Sequence, residues 1–294
     1  MTGATGFVGA HLLERALGED HSVRALTRRP QPSCAGVTWV EGALDDPTAL
    51  AALVKGADAV IHVAGVINAD AAGFEASNVT GTAAMLCAAE HAGVRRFVHV
   101  SSLAAREPAL SLYGASKARS EALVSASPLS TAIVRPPAVY GPGDRETLEL
   151  FRMAKRGLVV LPPAGRLSLI HVDDLARLLL ALTASEATLL VEPDDGRVGG
   201  WTHEEFGQAL GRAVGRKVRT WSAPRILLSL AARADTLVRG RKAKLTPDRA
   251  AYFCHPDWTV SPDRAVLAEL WQPRIGTEQG LAATAHWYEA QSWL

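Results

Sequence analysis

Short apolar runs alternate with amphipathic stretches along the first half of the chain, and this pattern predicts alternating strands and helices. The runs that we interpret as strands are Ser22–Thr27, Val37–Gly42, Ala59–Gly65, Phe97–Ser102 and Ser130–Arg135. The helical spacing between them is clearest at His11–Leu17, Asn78–His91 and Tyr113–Val124. The pattern predicts an α/β fold: a doubly wound, Rossmann-like parallel sheet with helices on both faces.

Three glycines at the start of the chain, Gly3, Gly6 and Gly9, have the spacing of a loop that carries a dinucleotide pyrophosphate. One glycine permits the tight turn, the next lets the backbone approach the phosphates, and the third lets the following helix pack closely on the sheet. The end of that helix supplies free N–H groups and the positive end of its dipole. Only two residues precede the loop, so we expect the first strand to be missing, either because the natural start lies upstream or because the chain is a truncated form.

The alternation loosens after Pro136. We predict a helix at Glu146–Lys155, short strands at Ser168–Val172 and Leu189–Val191, and a helical stretch from Thr202 to about Arg249. The predicted organisation is a dinucleotide-binding domain at residues 1–145 and a smaller, mainly helical substrate-binding part at residues 146–294. Within the second part, residues 166–192 and about 255–275 are expected to return to the Rossmann core.

The composition is that of a globular protein, with 294 residues, 48% of them hydrophobic, and a formal net charge of +1. The near-neutral net charge argues against a nucleic-acid partner. The sequence contains no run of about 18 apolar residues, so we predict no membrane span. Three widely separated cysteines suggest neither a disulfide framework nor a metal cluster, so we predict a cytoplasmic protein. Ile226–Val238 is basic and amphipathic, and we expect it to pack on its own protein rather than on a membrane. The basic run Arg239–Lys244 is expected to be a solvated loop.

The best catalytic candidates are Tyr113 and Lys117, which share one face of a predicted helix because they are four positions apart. A nearby ammonium stabilises phenolate and lowers the pKa of a tyrosine from its reference value near ~10. Such a tyrosine can exchange a proton with a hydroxyl or carbonyl group. Ser101 and Ser102 end a buried strand upstream, at the edge where parallel sheets bind ligands, and a hydroxyl there can hold a substrate oxygen.

Several motifs occur together and in order along nearly the whole chain. They are Thr2–Gly9, Asn78–Thr82, the trio of Ser102, Tyr113 and Lys117, Arg135–Gly143, Ile170–Asp174 and Gly280–Trp287. The set resembles the extended short-chain dehydrogenase/reductases, also called the NAD-dependent epimerase/dehydratase family.

The resemblance implies that Tyr113 donates or accepts the proton, that Lys117 lowers its pKa and binds the nicotinamide ribose, and that Ser102 orients the substrate oxygen. Ser101 is the weaker choice by register. Besides Tyr113 and Lys117, the implied cofactor contacts are Gly3, Gly6, Phe7, Val8, Gly9, Ala64, Gly65, Asn78 and Pro137, the last of them beside the nicotinamide ring.

The choice between NAD(H) and NADP(H) depends on the residue that ends the predicted strand Ser22–Thr27 and on the residues that follow it. A carboxylate there holds the free ribose hydroxyls of NAD, whereas arginine accommodates the phosphate of NADP. This chain has Thr27 at that position, followed by Arg28 and Arg29. Guanidinium groups pair with phosphate and stack on adenine, so we predict NADP(H), with Arg28 as the main contact. Ala43 replaces an aspartate that the family commonly places beside the adenine, and Leu44 is expected to line that pocket.

These features predict an NADP(H)-dependent oxidoreductase that interconverts a carbonyl and a secondary alcohol of a small-molecule substrate. The missing Thr-Asp-Glu set of the sugar-nucleotide dehydratases favours this function. The alternatives are a nucleotide-sugar epimerase and a non-catalytic NADP-binding sensor or assembly protein. His171, Asp173 and Asp174 fit a helix cap better than a metal site, so no metal is predicted. The resemblance makes a homodimer plausible, formed through the helices that contain Asn78 and Tyr113.

Overall fold

The computed structural model describes residues 1–240 and 243–294, so Arg241 and Lys242 of the predicted basic loop lie outside the described residues. The chain divides into two compact units. The first unit comprises residues 1–136, 175–192 and 266–271, and the second comprises residues 137–174, 193–265 and 272–294.

The first unit contains the parallel strands and the helices that cover them. Its strands are β1 (Val23–Thr27), β2 (Val37–Glu41), β3 (Ala59–His62), β4 (Arg96–Val100), β5 (Ser130–Val134) and β10 (Leu189–Val191). Its helices are α1 (Phe7–Gly18), α2 (Pro47–Val54), α3 (Ala71–Phe74), α4 (Gly81–His91), α5 (Leu112–Ala126) and the part of α7 (Val172–Ala181) from Leu175 onward. A π-helical turn at Glu75–Thr80 joins α3 to α4, and 3-10 turns lie at Leu103–Arg106 and Leu182–Ala184.

The sheet of the first unit is parallel throughout. β1 pairs with β2, and β3, β4, β5 and β10 follow one another as neighbours. Met1 and Thr2 lie between β1 and β3: Leu26 N donates to Met1 O at 3.0 Å, and Thr2 N donates to Ile61 O at 3.1 Å. Two residues therefore take the place of the strand that normally precedes the glycine loop. The predicted doubly wound, Rossmann-like fold is confirmed.

Local sequence explains where the helices of this unit begin. The Asp46 carboxylate accepts hydrogen bonds from two N–H groups of the first turn of α2, and Pro47 follows at the first helical position. The Ser111 hydroxyl caps α5 by accepting from Gly114 N at 2.9 Å. The apolar faces of α2 and α4 meet strand residues such as Phe97 in one buried core.

In the part of the second unit that the structure describes, short strands combine with five helices and part of α7. Its strands are β6 (Ala138–Tyr140), β7 (Leu158–Leu161), β8 (Arg166–Leu167), β9 (Leu169–His171), β11 (Trp201–Thr202), β12 (Arg219–Ser222) and β13 (Asp257–Trp258). Its helices are α6 (Leu148–Lys155), α8 (His203–Ala213), α9 (Arg225–Arg239), α10 (Pro247–Phe253) and α11 (Thr277–Ala290), and a 3-10 turn lies at Pro262–Arg264. The core is formed largely by aromatic and aliphatic residues of α6, α8 and α11. The stretch predicted as helical from Thr202 to Arg249 also contains β12, which pairs in parallel with β7.

The expectation that Ile226–Val238 packs on its own protein is wrong for most of its apolar side chains. In α9, Ala232 is buried, whereas Ile226, Leu237 and Val238 are 73%, 88% and 81% exposed. The amphipathic pattern indicated two faces but not which of them packs inward. Among the described residues, no helix combines the length and apolar character needed to cross a bilayer.

Candidate functional site

The glycine loop at the start of α1 has a backbone that side chains at two positions would disrupt. Gly3 has a φ of +74°, in the region that favours glycine, and a Cβ there would lie 2.8 Å from Ala64 N. A Cβ at Gly9 would lie only 1.9 Å from Gly3 O. Gly6 precedes α1 and offers no side chain to cap its first turn. The loop is therefore a tight backbone cradle followed by a helix N-terminus, which suits a pyrophosphate.

A buried chain of hydrogen bonds joins this loop to Asn78. Ala64 N donates to Thr2 Oγ1 at 3.1 Å, and Thr2 Oγ1 lies 2.8 Å from His62 Nδ1. On the other side of the ring, His62 Nε2 lies 3.1 Å from Thr82 Oγ1, which itself donates to Asn78 O at 2.7 Å. Because the Thr82 proton is used on that carbonyl, its oxygen accepts from Nε2–H, and Nδ1 accepts from Thr2.

This arrangement requires a neutral His62. Burial, together with the positive charge of Lys117, lowers the pKa of His62 to about 3. Sequence reasoning missed His62, Thr2 and Thr82 as supports of the site, because nothing local in the sequence indicates that they meet across strands and helices.

Asn78 connects the end of β3 to the helix that carries Tyr113 and Lys117. Its Oδ1 accepts from Val66 N at 2.8 Å, and its Nδ2 donates to Val66 O at 3.0 Å and to Ser116 Oγ at 2.9 Å. Ser116 Oγ in turn donates to Tyr113 O at 2.8 Å. All the polar atoms of the Asn78 amide are therefore engaged in holding α5 against the loop after β3. Asn78 lies in the π-helical turn, a distortion often found at functional sites.

Lys117 is buried at the carboxyl end of β4, where its Nζ donates to Val100 O at 2.9 Å. Gly65 lies against the same group: a Cβ there would be 3.0 Å from Asn78 Oδ1 and 3.4 Å from Lys117 Nζ. The structure therefore brings Gly65, Asn78 and Lys117 together. Burial lowers the pKa of Lys117 to about 8, and the nearby Glu121 carboxylate partly offsets this effect.

The Ser102 side chain interacts with the Tyr113 phenol and lowers its pKa, and the catalytic pairing of the two residues stays a prediction. Ser102 Oγ also caps the 3-10 turn by accepting from Ala104 N at 3.2 Å. Burial raises the pKa of Tyr113, and the hydrogen bond with Ser102 offsets only part of the increase. The Lys117 ammonium donates to a backbone carbonyl and is not among the groups that shift the Tyr113 pKa in this structure, so its effect on that pKa stays a prediction.

A buried ion-pair network lies one helical turn beyond Lys117. Glu121 accepts two hydrogen bonds from Arg135, at 2.8 and 2.6 Å, and one from Ser101 Oγ at 2.5 Å. Arg135 and Arg106 both pair with the buried Glu192, at 3.3 and 3.2 Å. Ser101 is therefore hydrogen-bonded to Glu121, whereas Ser102 interacts with Tyr113. The choice of Ser102 over Ser101 stays a prediction. Sequence reasoning did not identify Glu121.

The two arginines after β1 are exposed. Thr27 shapes this turn, since its Oγ1 donates to Arg29 O at 2.7 Å. Within the described residues, the guanidinium groups of Arg28 and Arg29 form no ion pair, which leaves them available to a phosphate. Leu44 lies against α4, where a Cβ on Gly81 would come within 2.7 Å of Leu44 Cδ1.

Two other sequence-based predictions concern Pro137 and a metal. Pro137 is the first residue of the second unit, and its place beside the nicotinamide stays a prediction. In the range that the structure describes, no group of three or more His, Cys, Asp or Glu is arranged to hold a metal ion. His171 Nδ1 accepts from Asp173 N at 3.2 Å, and the Asp174 carboxylate accepts from the backbone N–H groups of Arg274 and Ile275.

The parallel sheet, the cradle at Gly3 and Gly9, and the uncapped first turn of α1 define a Rossmann-like protein whose loop fits a dinucleotide. A profile of the NAD dependent epimerase/dehydratase family matches residues 1–191. The chain belongs to this family, and its curated relatives are named as reductases, dehydrogenases and an epimerase.

Two relatives align over almost the whole chain. The ceramide reductase of Caulobacter vibrioides is 42% identical over an alignment that covers 100% of this chain and 95% of the relative. The 2-alkyl-3-oxoalkanoate reductase of Stenotrophomonas maltophilia is 27% identical and covers 96% of each chain. Among solved structures, MoeE5 in complex with UDP-glucose and NAD superposes with a TM-score of 0.76 at 23% identity, covering 99% of this chain and 98% of the other. This last likeness concerns the fold alone.

Proposed function

We propose that this protein is an NADP(H)-dependent oxidoreductase that interconverts a carbonyl and a secondary alcohol. The observation that carries the proposal is that Ser102 interacts with Tyr113, one helical turn from the buried Lys117. The two hydroxyls provide a donor for a substrate oxygen and a group that can transfer a proton. The hydrogen-bonded support through Asn78 links this pair to the loop that fits the cofactor.

Each of the three side chains has a separate task in the proposed reaction. Ser102 donates a hydrogen bond to the substrate oxygen and holds it near Tyr113. Tyr113 gives its phenolic proton to that oxygen during reduction and takes it back during oxidation. The Lys117 ammonium stabilises the negative charge that develops on the phenolate. The nicotinamide, when bound, supplies or accepts the hydride.

The cofactor is proposed to lie along the glycine loop. Gly3, Gly6 and Gly9 admit the pyrophosphate to the backbone, and the N–H groups of Phe7 and Val8 face it at the helix end. Asn78, Gly65, Ala64 and Leu44 are proposed to line the path from the nicotinamide side to the adenine side, and Pro137 stays the predicted neighbour of the nicotinamide ring.

The preference for NADP(H) rests on the two arginines after β1. No carboxylate follows β1, because Thr27 ends that strand and Arg28 and Arg29 come next. A free ribose hydroxyl pair therefore finds no acidic acceptor there, whereas a phosphate finds two exposed guanidinium groups.

For the substrate we propose the ketone that corresponds to a ceramide-type lipid. Two relatives with nearly full-length alignments are named as reductases, one of ceramide and one of a 2-alkyl-3-oxoalkanoate. Ceramide carries a secondary alcohol on its long-chain base, so its carbonyl counterpart is a ketone between an alkyl chain and the carbon that bears the amide. The 42% identity to the ceramide reductase over the whole chain supports this choice.

The test is turnover of such a ketone with NADPH by the wild type and by Tyr113→Phe. We expect the substitution to reduce kcat by at least ~100-fold, the lower end of what general acid–base catalysis contributes, with NADPH affinity unchanged. Tyr252→Phe, which removes a hydroxyl from α10, is the matched control and should retain wild-type turnover. Undiminished turnover by Tyr113→Phe would remove the tyrosine from the mechanism.

A further inference from the structure

Helix α9 presents a continuous apolar face to solvent. At about 100° per residue, seven apolar positions fall within an arc of about 140°. They are Ile226, Leu227, Leu230, Ala231, Ala234, Leu237 and Val238, and all seven are exposed. The opposite side, at Ala232, is buried and packs toward α10. A helix of a globular protein normally has these faces the other way round.

An exposed aromatic residue lies close to α9 in the sequence. Trp221 lies on β12, four residues before the first residue of α9, and is among the exposed large hydrophobic side chains. Tryptophan is enriched at the boundary between water and lipid headgroups, because its ring is apolar and its N–H is polar. We call Trp221 and the exposed apolar residues of α9 the α9 surface.

Helix α9 carries more positive than negative charge. Its sequence contains Arg225, Arg233 and Arg239 and a single acidic residue, Asp235, although the whole chain has 31 basic and 30 acidic residues. Asp235 is itself engaged by Arg239 at 3.2 Å and by the backbone N–H groups of Lys244 and Leu245. Arg225 and Arg233 are exposed on α9. The partner of this surface is therefore apolar and negatively charged.

Three kinds of partner can be compared on this basis. A second copy in a two-fold contact would bring the same basic residues face to face, which is unfavourable. A nucleic acid would satisfy the arginines but leave the aliphatic side chains without apolar contacts. A bilayer surface with anionic lipids satisfies both, because acyl chains receive the aliphatic residues while the headgroups pair with arginine.

We propose that α9 docks on an anionic phospholipid bilayer, lying in the plane of the interface with its apolar face inserted. The helix has 15 residues and a length of about 22 Å, which is too short to span a hydrocarbon core of about 30 Å. Docking is therefore peripheral. The proposal stands on α9 itself and is independent of which carbonyl the enzyme reduces.

The experiment is co-sedimentation of the full chain with vesicles of phosphatidylcholine, with or without 30% phosphatidylglycerol, on the order of physiological salt. The wild type is expected to bind the anionic vesicles at least tenfold more strongly than the neutral ones. The double variant Leu230→Gln/Leu237→Gln should lose at least tenfold of that binding. Val198→Gln is the matched control, because Val198 is a 98% exposed apolar residue elsewhere in the chain, and it should bind like the wild type.

Two further measurements test the contribution of the arginines and the folding of the variants. Arg225→Gln/Arg233→Gln should remove most of the preference for anionic vesicles, and thermal melting should show all variants folded, because the altered side chains are exposed. The proposal is overturned if the wild type does not bind anionic vesicles or if the leucine variant binds as well as the wild type. It is also overturned if light scattering shows a dimer that the leucine variant dissociates, since a second copy is then the partner.

Discussion

The substitution Gly9→Ala tests whether the glycine loop is a close-packed cradle. The added Cβ would lie 1.9 Å from Gly3 O, 2.6 Å from Gly3 C and 2.9 Å from Ala4 Cα, whereas ordinary contacts lie at 3.4–4 Å. All three neighbours are backbone atoms, so the loop must shift by about an ångström or more. Overpacking of this kind costs about 1–3 kcal/mol. At about 2–4 °C per kcal/mol, the melting temperature should fall by several degrees.

The same shift of the loop should weaken cofactor binding. We expect the NADPH affinity of Gly9→Ala, measured by fluorescence titration, to fall at least tenfold, which is about 1.4 kcal/mol. Gly18→Ala is the matched control, because Gly18 ends the same helix and a Cβ there meets nothing within 4 Å. It should bind NADPH like the wild type and melt no lower. If Gly9→Ala binds NADPH within twofold of the wild type and melts at the same temperature, the close-packed loop is refuted.

Three other predictions concern charge. Arg28→Ala should weaken the binding of NADPH at least tenfold and the binding of NADH less than twofold in titrations, because only NADPH carries the phosphate. Equal small losses of affinity for the two cofactors would argue for NAD. The wild type should gain stability between pH 8 and 10.5, because the unfolded state then holds a proton that buried Lys117 has lost. Urea unfolding should show a gain of roughly 3 kcal/mol in the wild type and no such gain in Lys117→Met. An unchanged gain in the variant would assign the effect to another group. Below pH 6.5, the free energy of unfolding should fall toward pH 3, because the unfolded state binds a proton that buried His62 does not bind in the folded state. The free energy of unfolding of His62→Gln should fall less steeply over this range. Equal slopes for the two proteins would contradict this role.

The sequence predicted those parts of the site that depend on local spacing. The glycine triplet, the Tyr113 and Lys117 pair on one helical face, and Ser102 at a strand end all require only short-range geometry. The alternation of strands and helices likewise predicted the parallel sheet, since buried parallel strands have near-continuous apolar runs.

Features that depend on tertiary contacts were not predictable from spacing. The chain from Thr2 through His62 and Thr82 joins residues up to 80 positions apart, and only the folded sheet brings them together. The direction of the Tyr113 pKa depends on burial, which outweighs a hydrogen bond. The orientation of α9 could not be predicted either, because an amphipathic pattern is the same whether its apolar face packs inward or faces solvent.

The homodimer and the cytoplasmic location predicted from the sequence stay predictions. The central claim is net carbonyl reduction with NADPH, and its most direct measurement follows NADPH oxidation and alcohol formation together on the ketone of a ceramide. We predict that each alcohol formed consumes one NADPH and that NADH supports the reaction at least tenfold less well. A purified protein that retains bound NAD(H), shows no net consumption of NADPH and inverts a stereocentre of a nucleotide sugar would contradict the claim.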